Sequence, residues 1–151
     1  MATDALQIVL DLLSDNWNSL NTNSKTPKFE KITGDGTNGN LLRKVNFNIN
    51  QDWILAQRPR IIKKNSGIGG ANKHEETNLD LDIRVKGYDQ EAHFLNVVEE
   101  VSRIFDDNQA NPHASYQLLE FDGTDTDLSD KMNHIWRKIF PVKISRFNIS
   151  R

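Results

Sequence analysis

The residues best placed to do chemistry are Arg58, Arg60, Lys63 and Lys64, the densest basic cluster of the chain. Four cations this close would grip phosphate or an acidic protein surface by charge. No aromatic side chain interleaves with them, as stacking on a single nucleic-acid strand requires. The chain carries a net charge of −2 and a pI near 6.1, so no global field draws nucleic acid or a membrane surface. The cluster therefore reads as a protein contact or as a guarded strand edge, since charges and Pro59 discourage open-ended pairing. Strand parity puts Arg58, Arg60 and Lys64 on one side and Lys63 on the other.

The other reactive residue types form weaker patterns. Asp122, Asp125, Asp127 and Asp130 crowd one acidic stretch, but it lacks the turn glycine and late glutamate of a calcium loop at the required spacing. It reads as a solvated acidic turn. His74, His93, His113 and His134 show no zinc spacing. A hydrolase built on His74, Glu75 and a remote aspartate has no supporting motif. Gly34, Gly36 and Gly39 match G-x-G-x-x-G, but a strand rather than a helix follows, so they read as a glycine-rich arm. The chain has no cysteine, which excludes disulfides, thiolate metal sites and cysteine catalysis. We expect no metal and no cofactor. No apolar run is long enough to span a bilayer, and the first residues lack the pattern of a secretory leader.

The elements that must position these residues are clearer. Leu79, Leu81, Ile83 and Val85 alternate with polar residues over 77–87, which predicts a strand with one dry and one wet face. Gly87 and Asp89 then end the strand, with Asp89 as a helix cap. Phe94, Val97, Val98, Val101, Ile104 and Phe105 predict a helix running to about residue 107. Residues 4–17 predict an N-terminal helix, with Asp4 and Gln7 at capping-box spacing. Further strands are expected over 43–50, 53–64 and 116–121. Pro59 argues for an edge or a bulge in the second of these. Residues 130–139 read as a helical turn passing into a last strand, where a parity change predicts a bulge near Ser145 or Arg146. Trp17, Trp53 and Trp136 read as core or interface fillers. Trp136, beside Arg137 and Lys138, is expected at the sheet's margin or at a subunit contact.

At 151 residues the chain is expected to form one domain, residues 1–151, with flexible arms at about 18–42 and 65–78. The fold class is α+β: a mostly antiparallel sheet of about four to five strands, with the N-terminal and central amphipathic helices packed on one face.

This layout resembles a known family. The carriers are Asp52-Trp-Ile-Leu-Ala56, Gly67-Ile-Gly-Gly70 with His74-Glu75, Leu79-Asp-Leu-Asp-Ile-Arg-Val85, Val97-Val-Glu-Glu-Val-Ser-Arg-Ile104, Asp127-Leu-Ser-Asp130 and Ile135-Trp-Arg-Lys138. Together they resemble the tail-terminator and tail-completion proteins of tailed phages and tailed archaeal viruses. That resemblance implies a non-enzymatic virion protein in the tail or neck, assembled in the host cytoplasm. It implies a homo-hexameric ring that caps the head-proximal end of the tail tube. Its partners would be the tail-tube protein, the head–neck connector protein, and DNA passing through the channel without sequence reading. No membrane partner is implied. Arg58, Arg60, Lys63, Lys64, Gly67, Gly69, Gly70 and Trp136 are the candidate partner or channel contacts. Alternative readings are another head–tail completion protein, a protein-binding module of non-viral origin, and, last, a metal-dependent hydrolase.

Overall fold

The computed structural model describes residues 4–23, 25–32, 52–65, 73–87 and 89–147. The strand expected over 43–50, the glycines of the 34–39 pattern, Gly67, Gly69, Gly70 and the side chain of Arg58 lie outside the described residues.

Helix α1 is Ala5–Asn16. The Asp4 carboxylate accepts from the Gln7 amide at 3.3 Å, so half of the expected capping box forms. The Gln7 side chain turns to Asp11 instead, at 2.8 Å. The helix buries Ala5, Leu6, Val9, Leu10 and Leu13. Ser19–Thr22 then makes a 3-10 turn, and Lys28–Lys31 forms strand β1. Both lie inside the first expected arm, which is therefore ordered in these parts.

Five more strands follow: β2 (Trp53–Asn65), β3 (Lys73–Lys86), β4 (Leu118–Phe121), β5 (Thr126–Asp127) and β6 (Ile135–Phe147). The second expected arm is corrected too, since residues 73–78 belong to β3. The sheet runs in the order β1-β2-β3-β6-β4, with β5 also beside β6. β1 pairs parallel to β2 and the other pairs are antiparallel. The class is α+β as expected, but the sheet is mixed and has six described strands rather than four or five. The two strands not expected, Lys28–Lys31 and Thr126–Asp127, are too short for a period-two signal to stand out.

Helix α2 is Glu91–Asp107. Its Phe94, Val97, Val101, Ile104 and Phe105 join α1 and the Leu79, Leu81, Ile83 and Val85 face of β3 in one core. The apolar stripe and the alternating strand therefore meet as their periods require. Each fully buried leucine or isoleucine contributes about 1.5–3 kcal/mol. Asp89 does not cap the helix. It sits at φ 55°, and Gln90 stands at the N-cap without a side-chain cap bond. Gly87 just before it adopts φ 146°, and a Cβ there would lie 2.7 Å from Gln90 Cγ.

The opposite face of β3 is not the wet face that alternation predicts. Asp82 is 0% exposed and Arg84 4%. Asp82 accepts from Arg84 at 2.7 and 3.1 Å and from Arg137 at 3.0 and 3.1 Å. Two guanidinium groups on one carboxylate offset the desolvation of the buried charge. β6 keeps one register with β3 from Lys86↔Ile135 to His74↔Phe147, so the bulge expected near Ser145 or Arg146 is absent. Its misleading signal was an aromatic at Phe147, which leaves the core face to lie on the His74 ring at 4.5 Å. The irregularity sits in β2 instead, between Gln57 and Arg60, around Pro59. The turn before β6 spans residues 131–134 without becoming a helix.

Candidate functional site

The basic cluster lies on the outer half of β2. Trp53 to Gln57 are all buried, whereas Arg60, Ile61, Ile62, Lys63 and Lys64 are all exposed. The register shift at Arg58–Pro59 divides the two halves and reverses their parity. Arg60, Ile62 and Lys64 stand opposite Asn78, Glu76 and His74, while Ile61 and Lys63 stand opposite Thr77 and Glu75. Arg60 and Lys64 thus share a face and Lys63 takes the other, as parity predicts.

These cations are only loosely held. Arg60 lies 3.6 Å from Asp80 and Lys64 3.8 Å from Glu76, and both side chains are more than half exposed. Such pairs contribute about 0–1 kcal/mol. Glu75, across from Lys63, is engaged by Arg146 at 3.1 Å. β1 covers β2 only from Trp53 to Ala56. Beyond that point the outer edge of β2 pairs with no other described strand. Ile61 and Ile62 are 59% and 41% exposed, an apolar contribution that the charge pattern concealed.

Trp136, the second residue of β6, stands opposite Val85 and packs half-buried against the core. With Asp89, Glu91, Ala92, Leu95 and His134 it lines a cleft of about 440 Å³ beside the start of α2. Its indole nitrogen is buried without a hydrogen-bond partner. This cleft is far along β6 from Phe147, at the other end of the strand from the cationic half of β2.

The hydrolase constellation does not assemble. His74 and Glu75 are consecutive on β3 and so face opposite sides of the sheet. His74 turns to Glu76 at 3.4 Å, while Glu75 takes Arg146. The acidic turn lies across β6 on the far edge. There Asp127 accepts from the Ser129 amide at 2.9 Å and Asp130 from the Asn133 amide group at 2.6 Å. The hydrogen bonds from Ser129 and Asn133 hold these carboxyls below their ordinary range. Asp125 lies 3.4 Å from Lys138. Among the described residues no group of three or more histidine, aspartate or glutamate side chains is placed to hold a metal ion. None of the described helices is long and apolar enough to cross a membrane.

One buried polar pair and one buried carboxylate left no clear mark in the sequence. His93 Nε2 lies 2.5 Å from Asp52 Oδ2, with both side chains buried and the His93 Nδ1 unpartnered. Glu100 is 2% exposed and accepts from the Asn18 amide at 2.7 Å, Asn21 at 2.9 Å and Arg103 at 2.7 Å. Burial opposes its charge, but the donors from Arg103, Asn18 and Asn21 outweigh it and lower the Glu100 pKa. Arg103 also donates to the Asn16 carbonyl at 2.9 Å, so this cluster ties the end of α1 to α2. One signal was available: His93, Val97, Glu100 and Ile104 fall on one helical stripe.

No protein-family model matches the chain, and no curated protein matches it.

Proposed function

We propose that this protein is a tail terminator, a ring-forming virion protein that caps the head-proximal end of a tail tube and joins it to the head–neck connector. The observation that carries the reading is the β2–β3 pair. Its inner half is locked into the core, and its outer half presents Arg60, Ile61, Ile62, Lys63 and Lys64 to solvent. An exposed strand edge with mixed apolar and cationic residues suits contact with other protein. The residue blocks that carry the family resemblance support the same reading. Residues 53–56 open β2, 79–85 make the second half of β3, 97–104 lie within α2, and 135–138 open β6. The ring is a homo-hexamer around the channel that DNA leaves through, and the cations are channel or partner contacts that read no sequence. The protein is a part of the tail or neck of the virion and assembles in the host cytoplasm.

The test is growth of purified tail-tube protein with and without this chain, watched by negative-stain microscopy. The expected result is tubes that stop growing and carry a ring at one end. Replacing Arg60, Lys63 and Lys64 together by alanine should reduce capping at low and moderate salt. Tubes that grow to the same length, uncapped, in the presence of the wild-type protein contradict the proposal.

A further inference from the structure

The sheet ends in two edges of opposite character. On one side the outer half of β2 shows Arg60, Lys63 and Lys64 with Ile61 and Ile62 beside them. On the other side lies β5, a two-residue strand that is exposed at both positions. Around it stand Asp122, Asp125 and Asp127, all exposed, with Leu128 at 43% and Met132 at 91%. Each edge therefore combines charge mostly of one sign, with Lys131 the exception beside β5, and large apolar side chains left in water.

Two copies of a like edge repel each other, because like charges directly opposite are unfavourable across a strand pair. Unlike edges attract. A sheet with one basic and one acidic edge can therefore continue only from the basic edge of one copy to the acidic edge of the next. The adjoining edge strand β4 is closed to a newcomer at Leu119, whose amide donates to the Gln109 carbonyl at 2.9 Å. That leaves the β5 end as the open part of the acidic side among the described residues.

We infer that the basic outer edge of β2 in one copy of this chain docks on the acidic β5 edge of the next, head to tail. The inference rests on the ring reading only for its purpose, and it deepens that reading by naming the contact between subunits. A contact between two different patches of one molecule is heterologous. It closes into a ring when the rotation per step permits, and otherwise runs on as a filament. The two edges also stand at different heights. Arg60 and Lys64 align, through β3, with Lys143 and Phe147 of β6, whereas β5 aligns with Lys138 and Ile139. Joining them staggers successive copies by about 20 Å at ~3.3 Å per residue. A stagger of this kind tilts the strands against the axis, as sheet closure requires.

The carboxyl of Asp127 is held below the ordinary aspartate value by the Ser129 hydroxyl and amide. Three lysines lie among these carboxylates: Lys138 is 3.4 Å from Asp125, Lys143 is 3.1 Å from Glu120, and Lys131 is exposed in the turn after β5.

Charge reversal tests the contact by light scattering after size exclusion over a concentration series. The wild type is expected to form an oligomer as concentration rises. Lys63→Glu with Lys64→Glu should shift the equilibrium toward monomer about a hundredfold, and so should Asp122→Lys with Asp125→Lys. Mixing these two variants should restore assembly, because each then offers an edge that fits the other. One chain carrying all four changes should assemble again by itself. A wild type that stays monomeric at every concentration overturns the inference, and so does assembly indifferent to either reversal. Circular dichroism checks that each variant is folded. Should a reversed edge unfold the chain, the salt dependence of the wild-type mass decides. A fall between about 0.05 and 0.5 M salt supports the contact, and a constant mass contradicts it. The terminator reading fails separately. Oligomers that follow the charge rules but never cap a tube sink that reading and leave the edge contact standing. Tubes capped normally by a variant unable to self-associate overturn the edge contact and spare the terminator.

Discussion

The two halves of β2 share one strand and differ in almost everything else. From Trp53 to Gln57 each residue is buried, with β3 on one side throughout and β1 on the other as far as Ala56. From Arg60 to Lys64 each is exposed, and β3 alone is beside it among the described strands. Pro59 stands at the border. It has no amide proton to give a ladder, so the strand shifts register there and the side chains change face. The inner half is where the fold is made. The outer half stays exposed along the same strand. A single strand can thus hold the core along one half and stay exposed along the other, with a proline between them.

That division can be broken at its stable end first. Ile54 is 0% exposed and stands opposite Ile83 at the centre of the core. Ile54→Ala should cost about 2–5 kcal/mol, read as a lower urea midpoint, because it removes buried surface and leaves a cavity. A loss under about 1 kcal/mol would show that the inner half is not part of a packed core.

A middle-sized effect is expected at Glu100, which joins α1, the 3-10 turn and α2. Glu100→Gln keeps the shape but removes the charge that Arg103 and the Asn18 amide meet, for a cost of about 1–3 kcal/mol. Its pH dependence has a definite sign. The folded carboxyl titrates below the unfolded one. Its contribution is therefore fully present above the ordinary glutamate pKa and is lost as pH falls through the lowered folded value. Stability curves of wild type and Glu100→Gln should converge on acidification. Parallel curves down to the acid limit would refute this role.

The smallest effect sharpens the comparison from the other end. Alanine at Arg60, Lys63 and Lys64 should each change monomer stability by no more than about 0.5 kcal/mol, since the side chains are exposed and their pairs are long. A larger loss in thermal or urea unfolding would mean that the outer half holds the fold as well.

Much of this division was legible in the residues. The alternation of Leu79 to Val85 and the stripe from Phe94 to Phe105 named the core correctly, because burial on one face leaves a periodic trace. Pro59 announced the break in β2, and parity sorted Arg60 and Lys64 from Lys63. What stayed hidden depends on distant partners. Parallel pairing of β1 with β2 leaves no mark in Lys28–Lys31. The contact of His93 with Asp52 joins residues 41 positions apart. Asp82 looked like a solvent residue because a buried aspartate and a wet one are the same letter, and only Arg84 and Arg137 around it tell them apart. At the candidate site the charges were readable, but the exposure of Ile61 and Ile62 was not. An isoleucine in a strand reads as core until the chain is seen to run past the layer that would cover it.

The most direct test of the account is amide hydrogen exchange on the wild-type protein at low and high concentration, read separately for residues 53–56 and 60–64. Exchange over 53–56 is expected to be slow at both concentrations, and exchange over 60–64 to slow as concentration rises and the edge is covered. Equal protection of the two halves in the dilute protein, or an outer half whose exchange ignores concentration, would contradict it.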